Sequence, residues 1–262
     1  MRRKIAVGAA LGAVAATLVT APAAQAEGRG DIRVTKTVVN NGGNVIVGVK
    51  DVKTFPVAIT IKDNSGVKGV SRVSAFNRNN GHGPVDHLGT SCKKISGTTS
   101  VCTATMRIDP AWIDDYGSGN EGWDANSVAG DWTVNATVKA NDGDYWISDS
   151  IAAFRVKRAA VLTTDASPEP VAKGSTLTVT GRLTRANWTD LKYHGYINRT
   201  VQLQFKKAGT TSYKTVKSAT TNSTGNLRTT VTATAPGSWR WYFPGTPTTM
   251  QVLSTGDAVT LK

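Results

Sequence analysis

Asp131-Trp132-Thr133-Val134-Asn135-Ala136-Thr137-Val138-Lys139-Ala140, followed at once by Asn141-Asp142-Gly143-Asp144, carries the fold assignment. Trp132, Val134, Ala136 and Val138 share one face of an extended chain, and Thr133, Asn135 and Thr137 share the other, which is the pattern of a half-buried strand. The Asn, Asp and Gly residues behind it supply what a tight turn asks for. The same period-two pattern predicts strands over 32–39, 44–49, 55–62, 100–108 and 150–157.

Further along, Leu177, Val179, Gly181 and Leu183 alternate with Thr178, Thr180 and Arg182. Val201, Leu203 and Phe205 alternate with Gln202 and Gln204, Leu227, Thr229 and Val231 repeat the pattern, and Trp239, Trp241 and Phe243 alternate with Arg240 and Tyr242 before a final strand over 251–261. No segment sustains a helical period, so the chain is read as all-β. The expected architecture is two tandem immunoglobulin-like β-sandwich modules, in which facing sheets bury alternate residues of every strand.

The first 26 residues read as a secretory signal: Arg2, Arg3 and Lys4, then an apolar run, then small residues ending Ala24-Gln25-Ala26. Their removal leaves 236 of 262 residues, enough for two sandwiches. The expected division is a signal at 1–26, a module at 27–158 with a long acidic and aromatic crossover, and a basic module at 159–262 that announces itself at Ser167-Pro168-Glu169-Pro170. Export, with no stable membrane insertion, places Cys92 and Cys102 in an oxidising compartment, where a short disulfide is favoured over a metal site.

Charge is unevenly divided. Residues 27–158 hold 16 Lys and Arg against 14 Asp and Glu, and residues 159–262 hold 12 against 4, so the second module carries the basic balance. Outside a cell such a surface suits cell-wall polymers, acidic polysaccharide or matrix, headgroups, or nucleic acid bound non-specifically; a solubilising surface explains it equally well.

Ser167-Pro168-Glu169-Pro170-Val171, the run from Gly174 to Gly181, the strand from Trp239 to Gly245 and the closing Gly256-Asp257-Ala258-Val259 resemble bacterial immunoglobulin-like domains. The whole is similar to small exported actinomycete proteins of two such modules. That resemblance covers the second module well and the first loosely, implies a fold and an exported address, and brings no catalytic residues. The spacing of Cys92 and Cys102 departs from the Cys, Trp, Cys arrangement of antibody domains.

Three segments carry candidate chemistry. In the loop 77–90, His82, Asp86 and His87 offer ligands for Zn²⁺ or Cu²⁺, against the plainer reading of a Gly- and Asn-rich loop that happens to hold two imidazoles. In 109–131, Asp114, Asp115, Glu121 and Asp124 stand among Trp112, Tyr116 and Trp123. The leading reading there is a crossover whose aromatics pack on the sandwich, Ca²⁺ is second, and an Asp115/Glu121 hydrolytic pair third. In 184–200, Trp188, Tyr193, His194 and Tyr196 lie among Arg185, Lys192 and Arg199, suited to stacking on sugars or bases while the cations reach anions. The competing reading is that Trp188 and one tyrosine plug the end of a sandwich.

Motifs of hydrolases, zinc proteases and nucleotide binders are absent from the sequence. The function expected is therefore a secreted, monomeric, non-catalytic binding protein; a structural spacer or coat component is the alternative, and an enzyme using the His82/His87 or Asp115/Glu121 region is the last. Arg29-Gly30-Asp31 is set aside as a chance tripeptide at a frayed N-terminus. The sequons at Asn135, Asn187, Asn198 and Asn222 are read as strand threonine usage.

Overall fold

Trp132, Val134, Ala136 and Val138 all point into a hydrophobic core, with Asn135 and Thr137 on the opposite face, as the alternation requires. The computed structural model describes residues 27–117 and 123–262; residues 1–26, expected as a signal, and Glu121 lie outside the described residues. The first half comprises β1 (Glu27–Arg29), β2 (Arg33–Val39), β3 (Val45–Val47), β4 (Lys53–Lys62), β5 (Val67–Asn77), β6 (Asp86–Lys94), β7 (Thr99–Ile108), α1 (Pro110–Tyr116), β8 (Gly130–Ala140) and β9 (Tyr145–Arg158). One sheet runs β1-β9-β8-β5, with β3 paired parallel to β9; the other runs β2-β4-β7-β6. Their inner faces share one core, in which Phe55 of the second sheet meets Phe154 of the first at 5.9 Å between ring centroids.

The second half comprises β10 (Ala160–Leu162), β11 (Asp165–Ser167), β12 (Thr176–Asn187), β13 (Lys192–Gly195), β14 (Thr200–Lys207), β15 (Lys214–Thr220), β16 (Asn226–Thr232), β17 (Gly237–Phe243), β18 (Val252–Leu253) and β19 (Asp257–Val259). β12 gathers β10, β11, β13 and β16 around itself, and the facing sheet runs β15-β14-β17-β18 with β19 on β17. Leu177, Val179 and Leu183 of one sheet bury with Leu203, Trp239, Trp241 and Phe243 of the other. The chain is thus all-β, in two tandem immunoglobulin-like β-sandwiches.

Several elements depart from the sequence expectation. β5 was not expected because two bulges, at Val67/Gly69 and Val70/Arg72, break its alternation. β6 is an edge strand of exposed polar residues with no apolar period to read, so Asp86 and His87 lie on a strand rather than in a loop. α1 is a helix where none was expected: Asp109 accepts from Ala111 N at 3.0 Å and Pro110 sits at the first helical position, a start signal too short to show a period. The segment beginning at Glu27 is not frayed, since β1 pairs with β9 and Ile32 is fully buried. Cys92 and Cys102 form a disulfide between directly opposed positions of β6 and β7, stapling two neighbouring strands of one sheet.

The two sandwiches meet without a spacer. Ala159 N donates to Val47 O on one side, and Ala186 N donates to Ala159 O on the other, both at 2.8 Å. Buried Arg158 donates through Nε to Ala186 O at 2.5 Å.

Candidate functional site

α1 places Trp112 and Tyr116 one turn apart on the same helical face. Both rings are about half exposed, although an aromatic ring held this open on a small domain loses the stabilisation that burial would give it. They form one wall of a cleft of about 300 Å³ whose remaining lining includes Pro84, Asp86, Arg107 and Asp115. Arg107, near the end of β7, lies 4.7 Å from the Trp112 ring centroid and donates to Asp86 Oδ2 through Nη2 at 2.8 Å and Nε at 3.1 Å. Tyr116 is anchored by its hydroxyl, which accepts from Gly83 N at 3.3 Å. Asp86 and Asp115, expected in separate candidate segments, thus line one cleft.

The arrangement is of a kind that can recognise a hydroxylated ring. Flat rings stack on the apolar face of a sugar, while carboxylates and a guanidinium at the margin exchange hydrogen bonds with its hydroxyls. Asp86 is committed to Arg107 and Asp109 to the helix start, so neither is placed as a general acid or base.

The proposed metal ligands of 77–90 do not converge. His82 packs edge-on against Trp123 at 4.7 Å and Tyr116 at 6.0 Å, His87 Nε2 contacts Thr90 Oγ1 at 2.7 Å, and Asp86 turns to Arg107. Asp124 caps the turn that follows it by accepting from Asn126 N, and Asp114 is half-buried. Among the described residues neither group forms a cluster of three ligands within reach of one ion.

In 184–200 the structure separates the aromatics. Trp188 is fully buried, belongs to the core of the first sandwich and donates through Nε1 to Gly48 O at 3.0 Å; its backbone N donates to Asn126 Oδ1 at 3.0 Å. This corrects Trp188 as a ligand platform: it is a plug, and it closes the neighbouring sandwich rather than its own. Tyr196 is buried too, stacked edge-on with Phe243 and lying under Arg185 at 4.1 Å and Arg199 at 4.6 Å. Burial lowers the pKa of Arg185, opposed by Tyr196 and reinforced by Arg199. Burial alone would raise that of Tyr196, but the nearby hydroxyls of Thr249 and Thr246 and the two guanidinium groups bring it below the ordinary phenol value. Lys192, Tyr193 and His194 remain exposed on β13, where His194 Nε2 meets Asp190 Oδ2 at 2.6 Å.

A second aromatic and cationic group carried no sequence expectation. Tyr213 lies under Arg240 at 3.7 Å and within 5.2 Å of Lys206, and Arg240 Nε donates to Gln204 at 2.9 Å. The signal was in the polar residues between the core positions of β14 and β17, the outward side of the alternation that revealed the strands.

No family model matches the chain, and no curated protein matches it in sequence. Among solved structures the adhesin InvE of Yersinia pseudotuberculosis is 15% identical, with a TM-score of 0.31 over 89% of this chain and 61% of that one. The D00-D0 domain of intimin is 16% identical, with a TM-score of 0.28 over 87% of this chain and 98% of that one. Tandem Ig repeats of Dlar are 13% identical, with a TM-score of 0.22 over 92% and 99%. The chain therefore spans under two thirds of InvE, and none of these superpositions is close enough to bear on function.

Proposed function

We propose that the chain is an exported, extracellular and non-catalytic binding protein, with a signal at 1–26 and modules at 27–158 and 159–262, whose first module holds a carbohydrate of the cell surface or matrix. The observation that carries this is the pair of exposed rings, Trp112 and Tyr116, above a cleft edged by Asp86, Arg107 and Asp115. The basic second module adds a long-range attraction to polyanionic polymers, which falls with salt. Retention of the chain on purified cell-wall and matrix polysaccharides tests the reading. Trp112→Ala and Tyr116→Ala should each weaken retention by about tenfold or more, since losing one buried aromatic contact is worth over 1.4 kcal/mol, and should leave the melting temperature within a degree or two. Unchanged retention by the double variant would sink it.

A structural spacer is the second reading, favoured by the Trp188 plug, which couples the sandwiches firmly. Inertness across glycan, wall and nucleic-acid panels, together with self-association, would support the spacer instead.

A further inference from the structure

At the end of the first sandwich remote from the cleft, three carboxylates from three parts of the chain converge. Asp31 stands between β1 and β2, Asp63 directly follows β4, and Asp144 closes the turn between β8 and β9. One oxygen from each lies within 4.8 Å of the others. Among the described residues none of the three is ion-paired.

Asp63 sets the cluster apart from ordinary surface acids. It is 1% exposed, and its Oδ1 accepts from Ser65 N at 2.8 Å and Ser65 Oγ at 2.6 Å, which locks the carboxylate in place. Its Oδ2 is buried and has no hydrogen-bond partner. A buried carboxylate oxygen left unpaired, beside two further carboxylates, is costly unless a cation completes it.

The backbone is built to permit the approach. Asp144 Oδ2 accepts from Asp31 N at 2.9 Å, and Asp144 N is held by Asp142 Oδ1 at 3.1 Å. Gly30 has φ +79°, and a Cβ there would fall 1.4 Å from Asp144 Oδ2, so only glycine lets the two segments touch. The tripeptide Arg29-Gly30-Asp31 thus has a local structural use.

We infer that Asp31, Asp63 and Asp144 bind one Ca²⁺ ion. Ligands around Ca²⁺, at roughly 2.3–2.6 Å each, can lie up to about 4.6–5.2 Å apart, which accommodates oxygens all within 4.8 Å of one another. The donors are all oxygen, with no imidazole or thiolate to favour Zn²⁺ or Cu²⁺. This site is separate from 109–131, where the sequence suggested calcium.

The test is the melting temperature of the full chain after chelator treatment, read against added CaCl₂ or MgCl₂, with calorimetric titration for stoichiometry. One Ca²⁺ per chain is expected, with saturable stabilisation at about 10⁻⁴–10⁻³ M, the range of extracellular modules. Asp63→Asn and Asp144→Asn should each weaken binding at least about tenfold, whereas Asp114→Asn and Asp124→Asn should not. If Asp63→Asn fails to fold, the exposed Asp31→Asn gives the same reading. Absence of heat and of stabilisation up to about 10 mM Ca²⁺, ten times that range, would overturn the inference, as would wild-type affinity in both the Asp144 and Asp31 variants.

Discussion

Replacing Trp188 should uncouple the two sandwiches. A buried tryptophan removes about 150–250 Å² from water, worth roughly 4–6 kcal/mol at about 25 cal/mol per Å², and measured Trp→Ala losses in cores run at about 3–5 kcal/mol. The Nε1 bond to Gly48 O adds about 0.5–1.5 kcal/mol. Trp188→Phe keeps most of the packing and should cost about 1–2 kcal/mol, while Trp188→Ala should cost about 3–5 kcal/mol. Because Trp188 follows β12 yet sits in the core of the first sandwich, the loss falls on the coupling between them. Scanning calorimetry reads this directly: the wild-type chain should melt in one coupled transition, and the alanine variant in two. Denaturant melts supply the free energies. If Trp188→Ala melts as one transition within about 0.5 kcal/mol of wild type, a difference ordinary for a surface substitution, the plug plays no such role.

Three further outcomes follow from local geometry. Reducing the Cys92–Cys102 staple, or replacing both residues with Ser, should cost the first sandwich about 2–3 kcal/mol in the chain-entropy account and leave the second unchanged, as hydrogen exchange resolved by segment would show. Desolvation alone would raise the Asp190 carboxyl, but the hydrogen bonds from His194 and the Lys192 backbone N–H, together with the charges of both residues, outweigh it, so its pKa is lowered. His194→Ala should move it back up in an NMR titration; the stability the pair confers is present above the unfolded carboxyl pKa and is lost as pH falls through the lowered value. Gly181→Ala drives a Cβ to 2.4 Å from Thr163 O and 2.7 Å from the Trp241 ring, and should destabilise the second sandwich by about 1–3 kcal/mol in a thermal melt.

The sequence revealed strands wherever one face is buried and the strand's own alternation is unbroken, even where its partner bulges. β8, β14 and β17 alternate cleanly, and their apolar residues are the core. It concealed strands whose stability comes from neighbours: β6 and β15 are exposed edges, and β5 is interrupted by bulges. The same limit governs the sites. Trp188 stands between the polar Asn187 and Thr189 and Trp112 between the apolar Ala111 and Ile113, yet it is Trp188 that is the plug and Trp112 that stands open to solvent, which only the packing shows. Asp31, Asp63 and Asp144 are spread along the chain, so no spacing could mark them; the turn residues around Asp144 and the glycine before Asp31 were visible, but their meeting was not.

The parallel pairing of β3 with β9, through Val45–Val156, Ile46–Lys157 and Val47–Arg158, gives the chain a mechanical character. β9 leaves the first sandwich directly into the second through Ala159. Tension acting between β3 and the second sandwich would therefore pull β3 and β9 past each other, loading all the bonds of that ladder together instead of opening them one at a time. A protein tethered by one sandwich and tugged through the other would resist as a clamp in shear.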